Sequence, residues 1–440
     1  MDGPGASDRS AAAPRAAERF PTAVWFLAWN EAAERFSYYG MASILTLHMV
    51  RHLGFAENEA IAGYQLFTAA VYLTPLAGAV LADRLWGRYR TILWLSLGYV
   101  AGHAVLATWE DRRGLLVGLT LIAAGAGGLK PCASAFAGDQ IPPGRDRLVA
   151  KLYDLYYWMI NLGSTAATIA VPLLFERGSA RLAFGVPGIA MAAALGVFWA
   201  GRRRYVRMPP GPPPPAAPAG EGAARPAPAA PVLGRIAAVF APVIAFWALF
   251  FQYGSSWTLQ ADKLRRVVLG VEIPAGSVGT LDAALVLTLI PVFAVWVFPA
   301  LERRGVRVTA LRKMSAGMFV MVLSFVAAAL VQGALDAGRA PHVVWQIPQY
   351  LFLAVGEVLV SVTALEFAYS EAPPQYKSVV MALWFLTIWA GSLLTAAVAW
   401  LNRFQGVAYF AFFAALMLVA AVAFAAVAWW YPGARGEPAG

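Results

Sequence analysis

Long apolar runs recur roughly every 30 to 40 residues along this chain, each near the ~20 residues a helix needs to cross a bilayer. Twelve segments qualify, roughly 24–50, 58–82, 91–109, 115–137, 152–174, 184–201, 236–258, 277–300, 310–332, 344–368, 378–400 and 407–430. A soluble protein of 440 residues would need far more polar surface than a chain 60% hydrophobic and only 13% charged can supply. The mean hydropathy of +0.61 agrees. The sequence therefore predicts an all-α polytopic membrane protein.

Between the sixth and seventh segments lies RRRYVRMPPGPPPPAAPAGEGAARPAPAAP. Its prolines cannot continue a helix and its small side chains bury little area, so it reads as an extended linker. The predicted organisation is an N-terminal tail (1–20), a six-helix bundle (21–205), the Pro/Ala-rich linker (206–233), a second six-helix bundle (234–431) and a C-terminal tail (432–440). Two facing bundles are a common plan in secondary transporters. A net charge of +10 raises nucleic acid as a partner, but the lysines and arginines concentrate in alternate loops. That placement points to the lipid bilayer and away from nucleic acid. The positive-inside rule puts both tails and the linker in the cytoplasm of a cell in whose plasma or inner membrane the chain sits. Residues 1–20 carry Arg9, Arg15 and Arg19 with no apolar core, so they read as a cytoplasmic tail rather than a cleaved signal peptide. Topology accounts for Arg202, Arg203 and Arg204; contact with anionic lipid is a second reading. Cys132 is the single cysteine, so no disulfide forms within the chain.

The charges inside the apolar segments carry the chemistry. An ionised side chain at the bilayer centre is costly, and such groups pair or face water. Glu31, Glu34 and Arg35, in NEAAERFSYYGM, stand at i, i+3 and i+4 on one helical face. A purely structural ion-pair network would explain these three alone. Lys130, in GAGGLKPCASAFAGDQ, and Glu357, in YLFLAVGEVLVSV, are isolated charges on other segments. Together they predict a polar cavity between the bundles. Asp282 lies nearer its helix start, either beside Glu357 or exposed to water. The proton affinity of a carboxylate in such a cavity depends on burial and on nearby cations, and a movement between two conformations switches it. A proton-coupled carrier needs that behaviour.

These residues bring a known family into view. NEAAERFSYYGM resembles the E-x-x-E-R signature of the proton-dependent oligopeptide transporters, within the major facilitator superfamily. GAGGLKPCASAFAGDQ, YYWMINLGS, FWALFFQYGSSWTLQA and GEVLVSVTALEFAYSEAP are similar to that family's patterns in helices four, five, seven and ten. GAVLADRLWGRYRT resembles the superfamily's loop between helices two and three. The resemblance implies a major facilitator fold of twelve helices in two six-helix bundles. It also implies a symporter that imports di- and tripeptides or peptide-like solutes by alternating access, with protons as coupling ion and no other cofactor. Glu31, Glu34 and Arg35 would handle the proton, with Lys130 as ion-pair partner to Glu31 and as a holder of the substrate carboxylate. Glu357 would face the substrate amine, with Asn161 alongside. Tyr39, Tyr72, Tyr157, Trp247 and Trp384 would line the pocket, with Asp282 among them, while Asp83, Arg84 and Arg88 would lock the cytoplasmic gate loop. Opposite charges on opposite bundles with aromatic walls between them suit a zwitterion of variable side chains.

Three positions depart from the family pattern. Ala42 stands where peptide-transporting members have Arg, Phe251 where they have Glu or Asp, and Asp282 where Asn is usual. The Arg and the acid pair across the halves in the family, so their joint absence is self-consistent. The departures leave open a proton-coupled carrier of a non-peptide solute, such as nitrate, an amino acid or a peptide-like metabolite. A sensor that binds without transporting is a further alternative. An enzyme is not indicated: His48, His52, His103 and His342 stand singly or at helix ends, and no catalytic pairing or metal-ligand set accompanies them.

Overall fold

The computed structural model describes residues 19–211, 229–372 and 376–431. The predicted tails, and 212–228 of the predicted linker, lie outside the described residues.

Twelve long helices carry the described chain: α1 (Thr22–Arg51), α2 (Glu57–Trp86), α3 (Arg88–Thr108), α4 (Arg112–Gly138), α5 (Arg147–Arg177), α6 (Ala180–Arg203), α7 (Val232–Asp262), α8 (Ala275–Arg303), α9 (Ala310–Asp336), α10 (Val343–Ala368), α11 (Lys377–Leu401) and α12 (Val407–Trp430). The last eleven are long and apolar enough to cross a membrane. The first is as long but carries Glu31, Glu34 and Arg35 in its middle. The turn leading into α7 is already helical at Ala229, inside the segment expected to be linker. Pro231 falls in the first turn, where proline is tolerated, and the alanines and apolar residues around it support the helix.

In the first half, α1 packs on α5 and α6, α2 on α4, and α3 on α4 and α6. In the second half, α7 packs on α11 and α12, α8 on α10, and α9 on α10 and α12. Adding six to every helix number in the first set gives the second set. Across the halves, α2 meets α11 and α5 meets α8, two contacts that exchange under the same shift. The architecture is thus a major facilitator fold, two repeated six-helix bundles facing each other.

Several helices are interrupted where the chain approaches the interior. α7 is interrupted by a turn at Ala241–Pro242, is helical again over Val243–Phe250, turns through a 3-10 segment at Phe251–Gly254, and resumes at Ser256–Asp262. Backbone groups freed by such a break need partners inside a membrane. Thr46 of α1 donates to the Gly254 carbonyl at 2.9 Å, and Thr395 of α11 donates to the Ala248 carbonyl at 2.6 Å. α10 changes to a π-helical segment, Val358–Val362, immediately after Glu357. Such one-turn bulges re-aim side chains and gather at functional sites. A two-residue hairpin, β1 (Val267–Val268) and β2 (Val271–Glu272), joins α7 to α8. Its turn residues Leu269 and Gly270 both have positive φ, at 49° and 81°, as a type I′ turn requires.

Candidate functional site

The charged face of α1 lies inside the first bundle. Arg35 Nε is 2.9 Å from Glu31 Oε1 and 2.8 Å from Glu34 Oε2, so one guanidinium joins both carboxylates. Only 5% of Glu31 and 1% of Glu34 is exposed. The approach of α5 sets this geometry. A Cβ on Gly163 would lie 2.1 Å from the Ala32 carbonyl oxygen and 3.1 Å from Arg35 Cβ. Only glycine lets the two backbones meet at the turn that carries the cluster. On the other side, Ser37 Oγ is 2.8 Å from His103 Nε2, and the His103 ring stacks on Tyr99 at 5.3 Å between centroids.

Lys130 enters from α4. The glycines of its motif are contact points: a Cβ on Gly127 would strike Thr74 of α2, and one on Gly128 would strike Leu95 of α3. α4 therefore sits deep between α2 and α3, which carries Lys130 to the interior. The expected ion pair of Lys130 with Glu31 is not formed here. Lys130 Nζ lies 4.6 Å from the Tyr38 ring centroid and 4.2 Å from that of Tyr72. Arg35, one turn along α1 from Glu31, already occupies the carboxylates, and two aromatic faces attract the ammonium instead.

Tyr72 is also part of a cavity of about 380 Å³ between the halves. Tyr39, Tyr72, Tyr157, Asn161, Trp247, Asp282, Glu357 and Trp384 line this one space. Lys130 reaches its edge through Tyr72. Trp247 and Trp384 meet edge to face at 5.5 Å, and Phe251 stacks on Trp247 at 5.6 Å and leans on Tyr72 at 5.3 Å. The aromatic residue at the family's acidic position thus extends the cavity wall. Asp282 is buried, and its Oδ1 has no hydrogen-bond partner among the described residues. It is no water-exposed helix-end residue; it shares the cavity with Glu357. Asn161 donates to the Tyr157 carbonyl at 2.8 Å, which leaves its own side-chain oxygen available.

Ser164, Thr168, Tyr253, Thr280 and Ser361 also line the cavity. Sequence reasoning missed them. The α5 members had a usable signal, because Tyr157, Asn161, Ser164 and Thr168 recur at spacings of four, three and four on one helical face. Tyr253 and Thr280 had none, because the break in α7 and the short turn before α8 set their directions.

The cavity is closed at the end away from the start of α1. Thr280 donates to Thr168 at 2.9 Å across the halves, and Gln65 donates to Ser255 at 3.1 Å. Beyond them, Arg51 binds Asp262, Glu176 binds both Arg51 and Arg266 at 3.3 Å, and Lys263 binds Glu57 at 2.7 Å. At the opposite end, Arg88 binds Asp139 at 2.6 Å, tying the loops after α2 and α4 within one half. Asp83 and Arg84 of the expected gate loop lie in a π-helical turn with exposed side chains, and the Asp83 carbonyl accepts from Gly211 at 2.9 Å. The acid that engages Arg88 is therefore Asp139, because the π turn carries the Asp83 side chain outward.

Known proteins with this sequence pattern and fold are transporters. A family model described as POT family matches residues 89–219 and 230–412. Peptide transporter family 1 of Drosophila melanogaster is 37% identical over 348 residues, covering 70% of this chain and 47% of that protein. Solute carrier family 15 member 1 of Mus musculus is 34% identical over 372 residues, covering 72% and 52%. The chain spans about half the length of the curated relatives it matches. Among solved structures, the POT family transporter PepTSo superposes with a TM-score of 0.87 at 33% identity, over 96% of this chain and 100% of that one.

Proposed function

The chain belongs to the POT family, and from that premise we propose that it is a proton-coupled symporter importing di- and tripeptides or peptide-like solutes by alternating access. The observation that carries this reading is the shared cavity. Glu357 and Asp282 of the second half face Tyr39, Tyr72 and Asn161 of the first, with Lys130 held against Tyr72. A zwitterion fits with its amine towards the two carboxylates and its carboxylate towards Lys130, while the aromatic wall accepts varied side chains.

Coupling follows from charge balance. Glu31, Glu34, Arg35 and Lys130 together carry no net charge. When Lys130 turns to a substrate carboxylate, the α1 cluster keeps one negative charge in excess, and a proton neutralises it. Substrate and proton therefore favour each other's binding, a reciprocal linkage.

The chain is organised as bundles 21–205 and 234–431 with both termini cytoplasmic, a topology supported by the distribution of Lys and Arg. The end tied by Arg51–Asp262 and Lys263–Glu57 is then the outer one, and this conformation faces inward. Asp83, Arg84 and Arg88 border the cytoplasmic opening and act there as the gate loop.

A second reading, a carrier of a non-peptide solute, draws support from the loss of the paired charges at Ala42 and Phe251 and the gain of Asp282. One uptake experiment in proteoliposomes separates the two. Peptides, amino acids and nitrate are offered with and without an inward proton gradient, and Lys130→Ala and Glu357→Ala are compared on capped peptides. The symporter reading expects gradient-driven peptide accumulation. Lys130→Ala should weaken a free peptide far more than its C-terminal amide, and Glu357→Ala should tolerate the N-acetylated form. Accumulation of nitrate or a single amino acid without peptide would favour the second reading.

A further inference from the structure

A separate cavity of about 560 Å³ opens on the outside of the second bundle, at the end of the molecule poor in cations. Its floor is one stripe of α9, where Ala327, Leu330 and Ala334 follow at i, i+3 and i+7. The two alanines leave a trough, and Leu330 beside it is 73% exposed. Trp345, 66% exposed, stands at the rim, and Arg265 and Arg339 close the end beyond the last turn of α9.

Both arginines have fixed backbones. Arg265 N–H donates to the Pro341 carbonyl at 3.0 Å, and its own carbonyl accepts from Val343 N–H at 2.9 Å. His342 Nε2 lies 2.7 Å from the Val267 carbonyl, so the hairpin is strapped to the loop before α10. Arg339 N–H donates to the Ala334 carbonyl at 3.0 Å as α9 ends. Among the described residues neither guanidinium has an ion pair, whereas the neighbouring Arg266 contacts Glu176, Asp262 and Glu272. Two guanidinium groups on fixed backbones, without ion pairs among the described residues, are suited to a phosphate. An apolar trough running along a membrane helix to that point suits an acyl chain, and tryptophan belongs at the boundary between the two.

We propose that this groove binds one anionic phospholipid, with its phosphate between Arg265 and Arg339 and a chain along α9. Two cations around one phosphate favour an anionic headgroup and disfavour one that carries an amine. The bound lipid bridges the α7–α8 hairpin and the α9–α10 loop, two segments of the second half next to the inter-half ties of Asp262 and Lys263.

The test uses the full chain, purified in detergent and titrated with phosphatidylglycerol, phosphatidylcholine or soluble glycerol phosphate. Bound lipid is counted by native mass spectrometry alongside thermal stability. Phosphatidylglycerol should bind more tightly than phosphatidylcholine. The double variant Arg265→Gln with Arg339→Gln should lose that preference by roughly tenfold or more, as expected for charge-assisted bonds. Ala327→Phe, which fills the trough and leaves the charges in place, should weaken phosphatidylglycerol as well. Equal phosphatidylglycerol binding by wild type and the arginine variant would overturn the site. Full competition by glycerol phosphate, or no effect of Ala327→Phe, would make it a soluble-anion site and overturn the lipid assignment. Both variants lie on the outer surface, and unchanged elution on size exclusion shows that each has folded.

Discussion

Thr280 of α8 donates a hydrogen bond to Thr168 of α5 at 2.9 Å, and both side chains line the cavity. The bond joins the halves at the roof of the site, just inside the ion pairs of Arg51 and Lys263. It exists only while this end is closed, so it biases the conformational equilibrium rather than the fold. One such bond contributes about 1 kcal/mol. Thr280→Val should therefore raise the population open at this end by roughly fivefold relative to the closed one. Spin labels at Thr108 and Ala340, on the two halves at that end, should report a larger long-distance fraction. An unchanged distance distribution would mean that the surrounding ion pairs hold the closure without this hydroxyl pair.

Glu31 and Glu34 share one arginine, so neither is neutralised independently. Replacing either with Gln removes the carboxylate that a proton would occupy and leaves Arg35 one partner. Glu31→Gln or Glu34→Gln should abolish concentrative uptake while leaving counterflow, which needs no net proton movement, at least partly intact. Accumulation against a gradient by either variant would remove that residue from the coupling path.

Gly163 tests the geometry rather than the charge. Its missing Cβ is what allows α5 to touch Ala32 of α1. Gly163→Ala forces a steric shift at the turn bearing Glu31 and Arg35, and overpacking of this kind costs about 1–3 kcal/mol. The melting temperature in detergent should fall, and uptake should fall with it, although no charged group has changed. A variant with wild-type melting and uptake would show that α1 and α5 can separate freely at this crossing.

Periodicity and charge made much of this molecule legible. Apolar runs located the twelve helices, and charges too costly to leave in lipid pointed inward, Glu357 and Asp282 to the cavity between the halves but Glu31, Glu34 and Arg35 to the inside of the first bundle. Glu357, Asp282 and the tyrosines share that cavity because each helix presents a fixed face. The partner of Lys130 was not legible. Glu31, Tyr38 and Tyr72 are all chemically suitable, and the depth of α4 between α2 and α3, with Arg35 already on the carboxylates, decides among them. The α7 break was equally hidden, since the run from Val243 to Phe250 is continuously apolar and its termination depends on partners such as Thr46 and Thr395, distant in sequence. The partner of Arg88 depends on a loop-to-loop approach for which neither segment carries a periodic signal.

Ala42 and Phe251 pose the remaining question. The Thr46–Gly254 bond brings α1 and the 3-10 turn of α7 together, and Ala42 lies one turn from Thr46, buried. An arginine placed there alone would be a buried cation, with Phe251 rather than an acid in the 3-10 turn of α7. An uncompensated buried charge of this kind costs about 3–5 kcal/mol. Ala42→Arg should therefore lower expression, melting temperature and transport together. Adding Phe251→Glu should rescue transport, because the new carboxylate pairs with the new guanidinium across the halves. It should restore stability only in part, since the ring contacts of Phe251 with Trp247 and Tyr72 are lost. If the double variant transports no better than Ala42→Arg alone, the two positions do not face each other, and the aromatic wall rather than an absent ion pair defines this side of the site.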